Sequence, residues 1–488
     1  MKKYLTSENE NLNVYGVYII KEYLSQENFE EKNLENLLNK INIKILSSLV
    51  DLLNKNNKKL SYTIFLILID ITSLDFKEEL FIKEENILYK IITYLISIKN
   101  DKILSEKGIY FLRNISLDNI NIQKILIKNN IFIYCKEIYY KYFFDNDFIH
   151  NIIKCLGNFT YDINIKYIKN YLILLDMIKP YLNNFTEIKR LNKYLNYIYN
   201  ILINDDSDDI IIEYFFENEI YKNLIEIYPF NNDIVDINEE KNFIDNIKVL
   251  ILKIFGKILA INDKNDLIKK LIDFGLINFL EKILSSYLNP NSDFNNNNNL
   301  SILKNLFLCI SNLSMEIYYI NIFYNKDIIS KLIKIGNNIY NLLKNNINNN
   351  NKNILNLFRE TCYLLALIVI NSEYQKLIPI IKYNNNIIII FFIEGLDLFS
   401  KKNNIILLCL QALNKLVNYD KIMEEYNNNI RLDNNLLNYN FCETMERNGI
   451  KSILDIYILD KRKDINNMAN NIYKKLYINK NIQILNKF

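Results

Sequence analysis

The segment KGIYFLRNISLDN, residues 107–119, places an asparagine within an apolar run that has the spacing of a helix. Its central five residues, LRNIS at 112–116, recur as LGNFT at 156–160 and as ISNLS at 310–314. A helix that is apolar except at one fixed position has one face that packs and another that meets solvent or a ligand. LRNIS therefore serves as a template for internal repeats, with the asparagine as its central residue.

Six looser copies of the template lie along the chain, at 68–72, 198–202, 255–259, 367–371, 413–417 and 473–477. The nine central residues are Asp70, Asn114, Asn158, Asn200, Lys257, Asn312, Val369, Lys415 and Lys475. They are spaced by 44, 44, 42, 57, 55, 57, 46 and 60 residues. The shorter spacings match the period of helical solenoids, roughly 40–47 residues. The sequence thus predicts an array of about nine repeats.

Asparagine-rich insertions account for the longer spacings. Such polar tracts bury too little apolar surface to order themselves, so we predict loops between helices. We place these loops at 231–242, 289–299, 345–353 and 426–440. Residues 1–30 are expected to form an N-terminal cap or first helix, and residues 31–488 the repeat array.

The composition favours helices throughout. Half of the 488 residues are hydrophobic, whereas the chain has only 8 glycines and 4 prolines. A large β protein would need turn residues at each hairpin. At the joins between helices, Gly275 and Gly449 supply the positive φ that reverses the chain, and Asn130 holds the equivalent place. We therefore predict an all-α fold in which a short helix, a turn, a second helix and a longer third helix make one repeat.

This pattern resembles the armadillo repeat family over roughly residues 30–480. The resemblance implies an armadillo-type α–α superhelix, a right-handed solenoid of about nine three-helix repeats. The match is weak around Asn200 and Val369, where helix pairs of the HEAT type remain the alternative.

Armadillo proteins line a concave groove with their third helices, and the template residue faces that groove. The resemblance therefore implies a partner-binding role for a set of residues spread over the array. They are Asp70, Tyr110, Arg113, Asn114, Asn158, Asn200, Lys257, Asn312 and Lys415. An asparagine that satisfies the backbone of a neighbouring loop explains the template position equally well.

The second half of the chain departs from the asparagine ladder. Lys257, Val369, Lys415 and Lys475 occupy the template position there. If these lysines face the groove, that end is more basic and would suit an acidic partner segment.

Armadillo receptors of the importin-α type place a tryptophan four residues before the template asparagine, and its ring sandwiches the lysines of a basic cargo. This chain has no tryptophan, and the matching positions hold Tyr110, Lys154, Asn196 and Leu308. Only Tyr110 has the chemistry for that role. We therefore expect a cargo other than basic import peptides.

Residues suited to catalysis are scarce. His150 is the only histidine, and Cys155, five residues later, does not share its helix face. Phosphate-binding glycine loops, G-x-S-x-G and metal-ligand spacings are all missing from the sequence. The acidic segment 204–209 lacks the glycine and terminal glutamate of a calcium-binding loop. We predict a protein that is not an enzyme and that uses no cofactor or metal.

Charge and cysteine usage suggest the setting in which the protein works. A net charge of +3 with interleaved signs gives no case for nucleic-acid binding. The six cysteines are scattered, which predicts free thiols in a reducing compartment. No signal core or myristoylation glycine follows Met1, and the apolar runs 363–370 and 387–393 are shorter than the ~20 residues of a membrane span. We expect a monomer without lipidation or a transmembrane segment, cytoplasmic and possible in the nucleus.

These observations lead to one principal function and two alternatives. The principal prediction is a scaffold or adaptor that binds a segment of a partner protein along the groove. The first alternative is a regulator of a small GTPase, or a chaperone cofactor, that binds a folded domain. The second is a structural component of a cytoskeletal or membrane-associated assembly.

Overall fold

The structure is a computed structural model, and it describes most of the chain in fifteen ranges. These are residues 2–24, 43–55, 57–73, 81–82, 85–117, 119–161, 167–183, 186–203, 208–227, 238–261, 265–288, 296–345, 352–382, 386–429 and 441–478. Within these ranges every regular element is helical and no strand occurs. The chain forms two compact units, Met1–Ile227 and Tyr228–Phe488.

Thirteen described α-helices belong to the N-terminal unit. They are α1 (Lys2–Leu5), α2 (Glu10–Leu24), α3 (Ile43–Asp51), α4 (Lys58–Thr72), α5 (Glu85–Ser97), α6 (Lys102–Ile115), α7 (Ile120–Lys128), α8 (Ile131–Lys141), α9 (Asn146–Gly157), α10 (Ile168–Ile178), α11 (Ile188–Leu202), α12 (Asp208–Glu217) and α13 (Ile220–Glu226). Short 3₁₀ turns accompany them at Leu52–Lys55, Asn158–Thr160 and Lys179–Tyr181.

Thirteen more belong to the C-terminal unit. They are α14 (Asn238–Leu259), α15 (Asn265–Phe274), α16 (Leu276–Ser286), α17 (Asn297–Leu313), α18 (Ile317–Asn325), α19 (Ile328–Asn345), α20 (Lys352–Asn371), α21 (Tyr374–Lys382), α22 (Ile387–Leu398), α23 (Asn403–Asn429), α24 (Phe441–Arg447), α25 (Ile450–Ile458) and α26 (Lys463–Tyr473). A π-helical turn, Lys474–Ile478, follows α26.

Among the described residues, six repeats show the predicted order of three helices, and each has a left-handed residue between its first and second helix. The sequence identified Asn130, Gly275 and Gly449 for this role, with φ of 61°, 117° and 79°. The same join in the other three repeats uses non-glycine residues, which a search for glycine misses. They are Glu219, Asp327 and Asn386.

The third helices stack on one another in sequence order, which places the template residues in a ladder. In the N-terminal unit α4 packs on α6, α6 on α9 and α9 on α11. In the C-terminal unit α14, α17, α20, α23 and α26 form the corresponding row. Helix α2 packs on α4 as a third helix would, so the expected N-terminal cap already shares the repeat packing. The last residues of that expected cap, 25–30, lie outside the described ranges.

The two repeats with weak sequence matches differ from each other. The repeat that ends near Val369 has all three helices, α18, α19 and α20. Its template is offset in the helix, because Val369 is fully buried. The repeat that ends at Asn200 has two α-helices among its described residues, α10 and α11.

The bounds predicted for the asparagine-rich loops include residues that are helical in the structure. Helix α14 already begins at Asn238, α17 at Asn297, and α20 at Lys352, while α23 continues to Asn429. Asparagine is itself a helix-capping residue, and the Asn296 side chain accepts a hydrogen bond from the Asn298 backbone N–H. Composition alone therefore assigned helix starts to loops. The centres of the four predicted loops lie outside the described residues.

One described helix, α20, has the length and apolar composition to cross a membrane, with 20 residues and a mean hydropathy of 1.5 over its most apolar window. Within the protein, 61% of that window is buried. The helix packs between α17 and α23 in the row of third helices. Its apolar surface is thus accounted for by packing against neighbouring repeats.

Candidate partner-binding face

Three consecutive third helices of the N-terminal unit present side chains at the template position and at four and seven residues before it. This spacing places them on one side of each helix. We call these nine residues the N-terminal face: Lys107, Tyr110 and Asn114 on α6, Asn151, Lys154 and Asn158 at α9, and Lys193, Asn196 and Asn200 on α11. All of them except Asn158 are half-buried or exposed.

Hydrogen bonds join the face between α6 and α9. The Asn151 amide donates to the Tyr110 hydroxyl at 3.1 Å, and its carbonyl oxygen accepts from Arg113 at 3.1 Å. The Arg113 guanidinium also lies 5.4 Å from the Tyr110 ring centre, and the Lys107 ammonium lies 5.6 Å from it. The ring of Tyr110 is thus already close to two cations of the same chain, which differs from an open aromatic clamp for cargo lysines.

Two template asparagines bind the end of the preceding third helix. The Asn158 amide donates to the Arg113 carbonyl oxygen at 2.8 Å and to the Ser116 hydroxyl at 3.1 Å. The Asn312 amide donates to the Gly256 carbonyl oxygen at 3.1 Å. The last carbonyls of a helix have no intrahelical partner, so these amides satisfy groups that otherwise need water.

The other predicted asparagines and the first template residue are placed differently. The Asn200 amide donates to the Thr160 hydroxyl at 3.3 Å, and the Asp70 carboxylate forms a 2.6 Å salt bridge with Lys21 of α2. Among the described residues, the half-buried side chain of Asn114 makes no hydrogen bond. Asn114 is therefore the template asparagine whose amide is best placed to meet a partner.

Two template lysines of the C-terminal unit bind the third helix of the preceding repeat. The Lys415 ammonium donates to the Ile370 carbonyl oxygen at 2.7 Å and to that of Ser372, at the end of α20. Burial lowers its pKa. The Lys475 ammonium donates to the side-chain Oδ1 atoms of Asn414 and Asn418 on α23, at 2.8 and 2.7 Å. A cation at a helix C-terminus also interacts well with the helix dipole, so Lys415 acts as a clamp on the end of α20, as Asn158 does on the end of α6.

Sequence alignment missed Asn371, which takes the clamping role in the repeat of Val369. Its amide donates to the Ser314 carbonyl oxygen at 2.9 Å. The template alignment has Val369 at the central position, whereas the residue that makes this contact lies two positions later, at Asn371. Lys257 of α14 is half-buried on its third helix, and its predicted contact with a partner remains a prediction.

An open pocket of about 660 Å³ adjoins the N-terminal face, where α2, α4 and the start of α6 meet. Its apolar lining includes Tyr18, Tyr62, Leu66 and Ile103, and lysines surround it. Tyr62 connects the pocket to the face, because the Lys107 ammonium lies 5.7 Å from its ring centre. The sequence does not indicate this pocket, because its walls come from three helices that meet only in the folded protein.

The residues considered for catalysis do not come together. The His150 Nδ1 atom shares a 2.8 Å hydrogen bond with the Tyr194 hydroxyl, whereas Cys155 is fully buried near Cys135. All six cysteines are free, and five are buried. No group of three or more histidine, cysteine or acidic side chains that could hold a metal occurs among the described residues.

A pH titration of stability should report on His150. Burial, then repulsion by Lys154, Arg190 and Lys193, lowers the pKa of His150 to about 3. An unfolded histidine titrates near pH 6.5. Below that pH the unfolded chain takes up a proton that the folded chain does not, so stability is expected to fall as the pH drops from 7 to 5.5.

The His150→Phe variant should lose this slope, because the chain has no other histidine. Urea unfolding at pH 7 and 5.5, followed by circular dichroism, measures it. Equal slopes in the variant and the natural protein would assign the pH dependence to other groups.

Solved structures of armadillo-repeat proteins match the fold over nearly the whole chain. An engineered protein matches with a TM-score of 0.64 and 12% identity, over 97% of both chains. A structure from work on the phosphorylation switch in the interaction between cadherin and β-catenin matches with a TM-score of 0.65 and 12% identity, over 97% of this chain and 82% of that one. The chain has the armadillo-repeat fold.

A third structure supports the same conclusion. The SYS-1/POP-1 complex matches with a TM-score of 0.60 and 12% identity, over 96% of this chain and 75% of that one. No protein-family model and no curated protein matches the sequence. At such low identity the match concerns the fold, and the all-α armadillo-type fold that the resemblance implied is confirmed.

Proposed function

We propose that this armadillo-repeat protein is a non-catalytic scaffold that binds a segment of a partner protein along the N-terminal face. The observation that carries the proposal is the connected polar surface formed by α6, α9 and α11. Its side chains lie on one side of three stacked helices, and Arg113, Asn151 and Tyr110 hold one another in place. Such preorganised side chains lose little entropy when a partner binds.

The adjoining pocket supports an elongated binding mode. An extended segment needs both polar groups for its backbone and a recess for at least one apolar side chain. Asn114 and Asn196 supply amides that donate and accept. The pocket beside Tyr62 and Leu66 supplies the recess.

The fold neighbours are compatible with this proposal. The work on β-catenin concerns its interaction with cadherin, and SYS-1 was crystallised with POP-1. Those statements belong to those proteins. For this chain we propose the same general mode, a protein partner on a repeat surface, in the cytoplasm and with the nucleus possible.

Site-specific photo-crosslinking in the native cell tests the proposal. A photoreactive phenylalanine analogue at Tyr62 and another at Asn114 should capture the same protein, because both positions lie on the proposed path. The matched control is Tyr140, which is 58% exposed on the second helix α8. Capture of that protein from Tyr140 alone, or of unrelated proteins from Tyr62 and Asn114, would contradict the proposal.

A further inference from the structure

Three cationic side chains lie on or directly beside the N-terminal face, on consecutive third helices; Lys154 and Lys193 belong to the face, and Arg113 adjoins it. Arg113 lies on α6, Lys154 on α9 and Lys193 on α11. Arg113 is held by its hydrogen bond to Asn151 and by the ring of Tyr110. We call Arg113, Lys154 and Lys193 the cation cluster.

Nearby carboxylates are already paired with another cation. Arg190 forms salt bridges with Asp147 at 2.6 Å and with Glu187 at 2.7 Å. Within the described part of the chain, neither Lys154 nor Lys193 forms a salt bridge. The ammonium groups of Lys154 and Lys193 are close enough to repel each other. While both are charged, neither can accept a hydrogen bond from the other.

Burial and repulsion within the cation cluster lower the pKa of Lys154. Burial, and then repulsion by Lys193, Arg113 and Arg190, lowers the pKa of Lys154 to about 8. His150 beside it is neutral near pH 7, since its own pKa is lowered to about 3. Its partner Tyr194 contributes no charge, because burial raises the pKa of that hydroxyl. The site is thus positive and partly desolvated, and the nearby carboxylates of Asp147 and Glu187 are already paired with Arg190.

Like charges gathered at one place are destabilising unless an anion offsets them. Lys415 and Lys475 of the C-terminal unit do not offer this chemistry, since both ammonium groups already donate to the third helix of the preceding repeat. We propose that the cation cluster binds an acidic segment of a protein partner, with carboxylate or phosphoryl oxygens accepting hydrogen bonds from Arg113, Lys154 and Lys193. This inference rests on the proposed function and assigns the charge of the bound segment.

Binding of an anion should be coupled to proton uptake. An anion beside Lys154 favours its charged form, so it raises the pKa of that ammonium toward the ordinary value near 10.4. Between pH 7 and pH 9 the free protein loses the Lys154 proton, which the complex retains. Affinity should therefore fall over this range by up to about tenfold. The charged and titratable groups around Lys154 are Arg113 from α6, His150 and Asp147 from α9, and Arg190, Lys193, Tyr194 and Glu187 from α11 and its start.

The test titrates the full chain into a fluorescein-labelled oligoglutamate peptide and follows fluorescence anisotropy. The variant K154Q/K193Q is expected to weaken binding by at least about tenfold. The matched control K124Q/K128Q removes the same charge from exposed positions on α7, and should change binding by less than about twofold because salt screens distant charges. Circular dichroism melts verify that both variants remain folded.

A further variant separates proton coupling from charge. The K154R protein keeps the positive charge but does not lose its proton near pH 8. It should bind oligoglutamate at pH 7 about as well as the natural protein and lack the loss of affinity between pH 7 and pH 9. A pH dependence that survives in K154R would overturn the role of Lys154 in proton uptake.

Three outcomes would reject the acidic-segment assignment. They are an equal loss of binding in the control variant, no binding of oligoglutamate by the natural protein, and tighter binding of single-stranded oligouridylate with the same sensitivity to K154Q/K193Q. A phosphoserine peptide of equal charge that binds more tightly than oligoglutamate retains the assignment and identifies phosphoryl groups as the anion. Photo-crosslinking at Tyr62 and Asn114 does not depend on charge, so the proposed function stands or fails separately.

Discussion

Replacement of Gly157 by alanine is expected to lower the free energy of unfolding of the N-terminal unit by about 1–3 kcal/mol. A Cβ atom at Gly157 would lie 2.2 Å from Cζ of Tyr197 and 2.4 Å from its Cε2, far inside van der Waals contact. The Tyr197 ring is 7% exposed and belongs to α11, so it cannot swing into solvent without opening the packing between α9 and α11. The cost exceeds the roughly 1 kcal/mol that alanine gains over glycine within a helix.

The matched control is Gly256→Ala in α14. There the nearest atom to a new Cβ is Cδ2 of Leu308, at 3.4 Å, which is ordinary contact. That variant should be unchanged or more stable by up to about 1 kcal/mol. Urea unfolding followed by circular dichroism measures both variants, and hydrogen exchange shows whether the loss is confined to α9 and α11. Equal stability of the two variants would show that the Tyr197 ring moves easily.

Template spacing predicted the architecture because a solenoid encodes its fold locally. Each repeat packs only on its neighbours, so a pattern about one repeat long already specifies which helices meet. The left-handed join at Asn130, Gly275 and Gly449 was visible for the same reason, since a single residue must adopt a positive φ. Glu219 also adopts a positive φ, at the cost of some backbone strain. A glutamate in the sequence does not indicate such a left-handed join.

The roles of side chains on the face were less accessible to sequence analysis. Asn114 and Asn158 hold the same place in the template, yet only the Asn158 amide is buried against the preceding helix end. Whether an amide meets a carbonyl group or solvent depends on the angle between two helices. That angle cannot be predicted from the sequence of either helix alone. The cation cluster was missed similarly, because Arg113, Lys154 and Lys193 occupy three different template offsets and meet only after α6, α9 and α11 stack.

This difference between equivalent asparagines leads to the second major prediction. Asn158→Ala is expected to destabilise the N-terminal unit by about 1–3 kcal/mol, since the Arg113 carbonyl and the Ser116 hydroxyl lose their donor in a place that water barely reaches. Gln123 depends on the same turn, because its amide donates to the Asn158 carbonyl oxygen at 3.1 Å and to that of Ser116 at 2.8 Å.

Asn114→Ala is the matched control and should change stability by less than about 0.5 kcal/mol, because its half-buried amide makes no hydrogen bond among the described residues. Partner capture by the photoreactive residue at Tyr62 should be more sensitive to Asn114→Ala than to Asn158→Ala. It should decline in Asn114→Ala, which removes an amide from the path of the segment, while the fold is kept. If Asn114→Ala destabilises the unit as much as Asn158→Ala does, the template asparagines act alike as clamps, and the partner is recognised by other groups of the face.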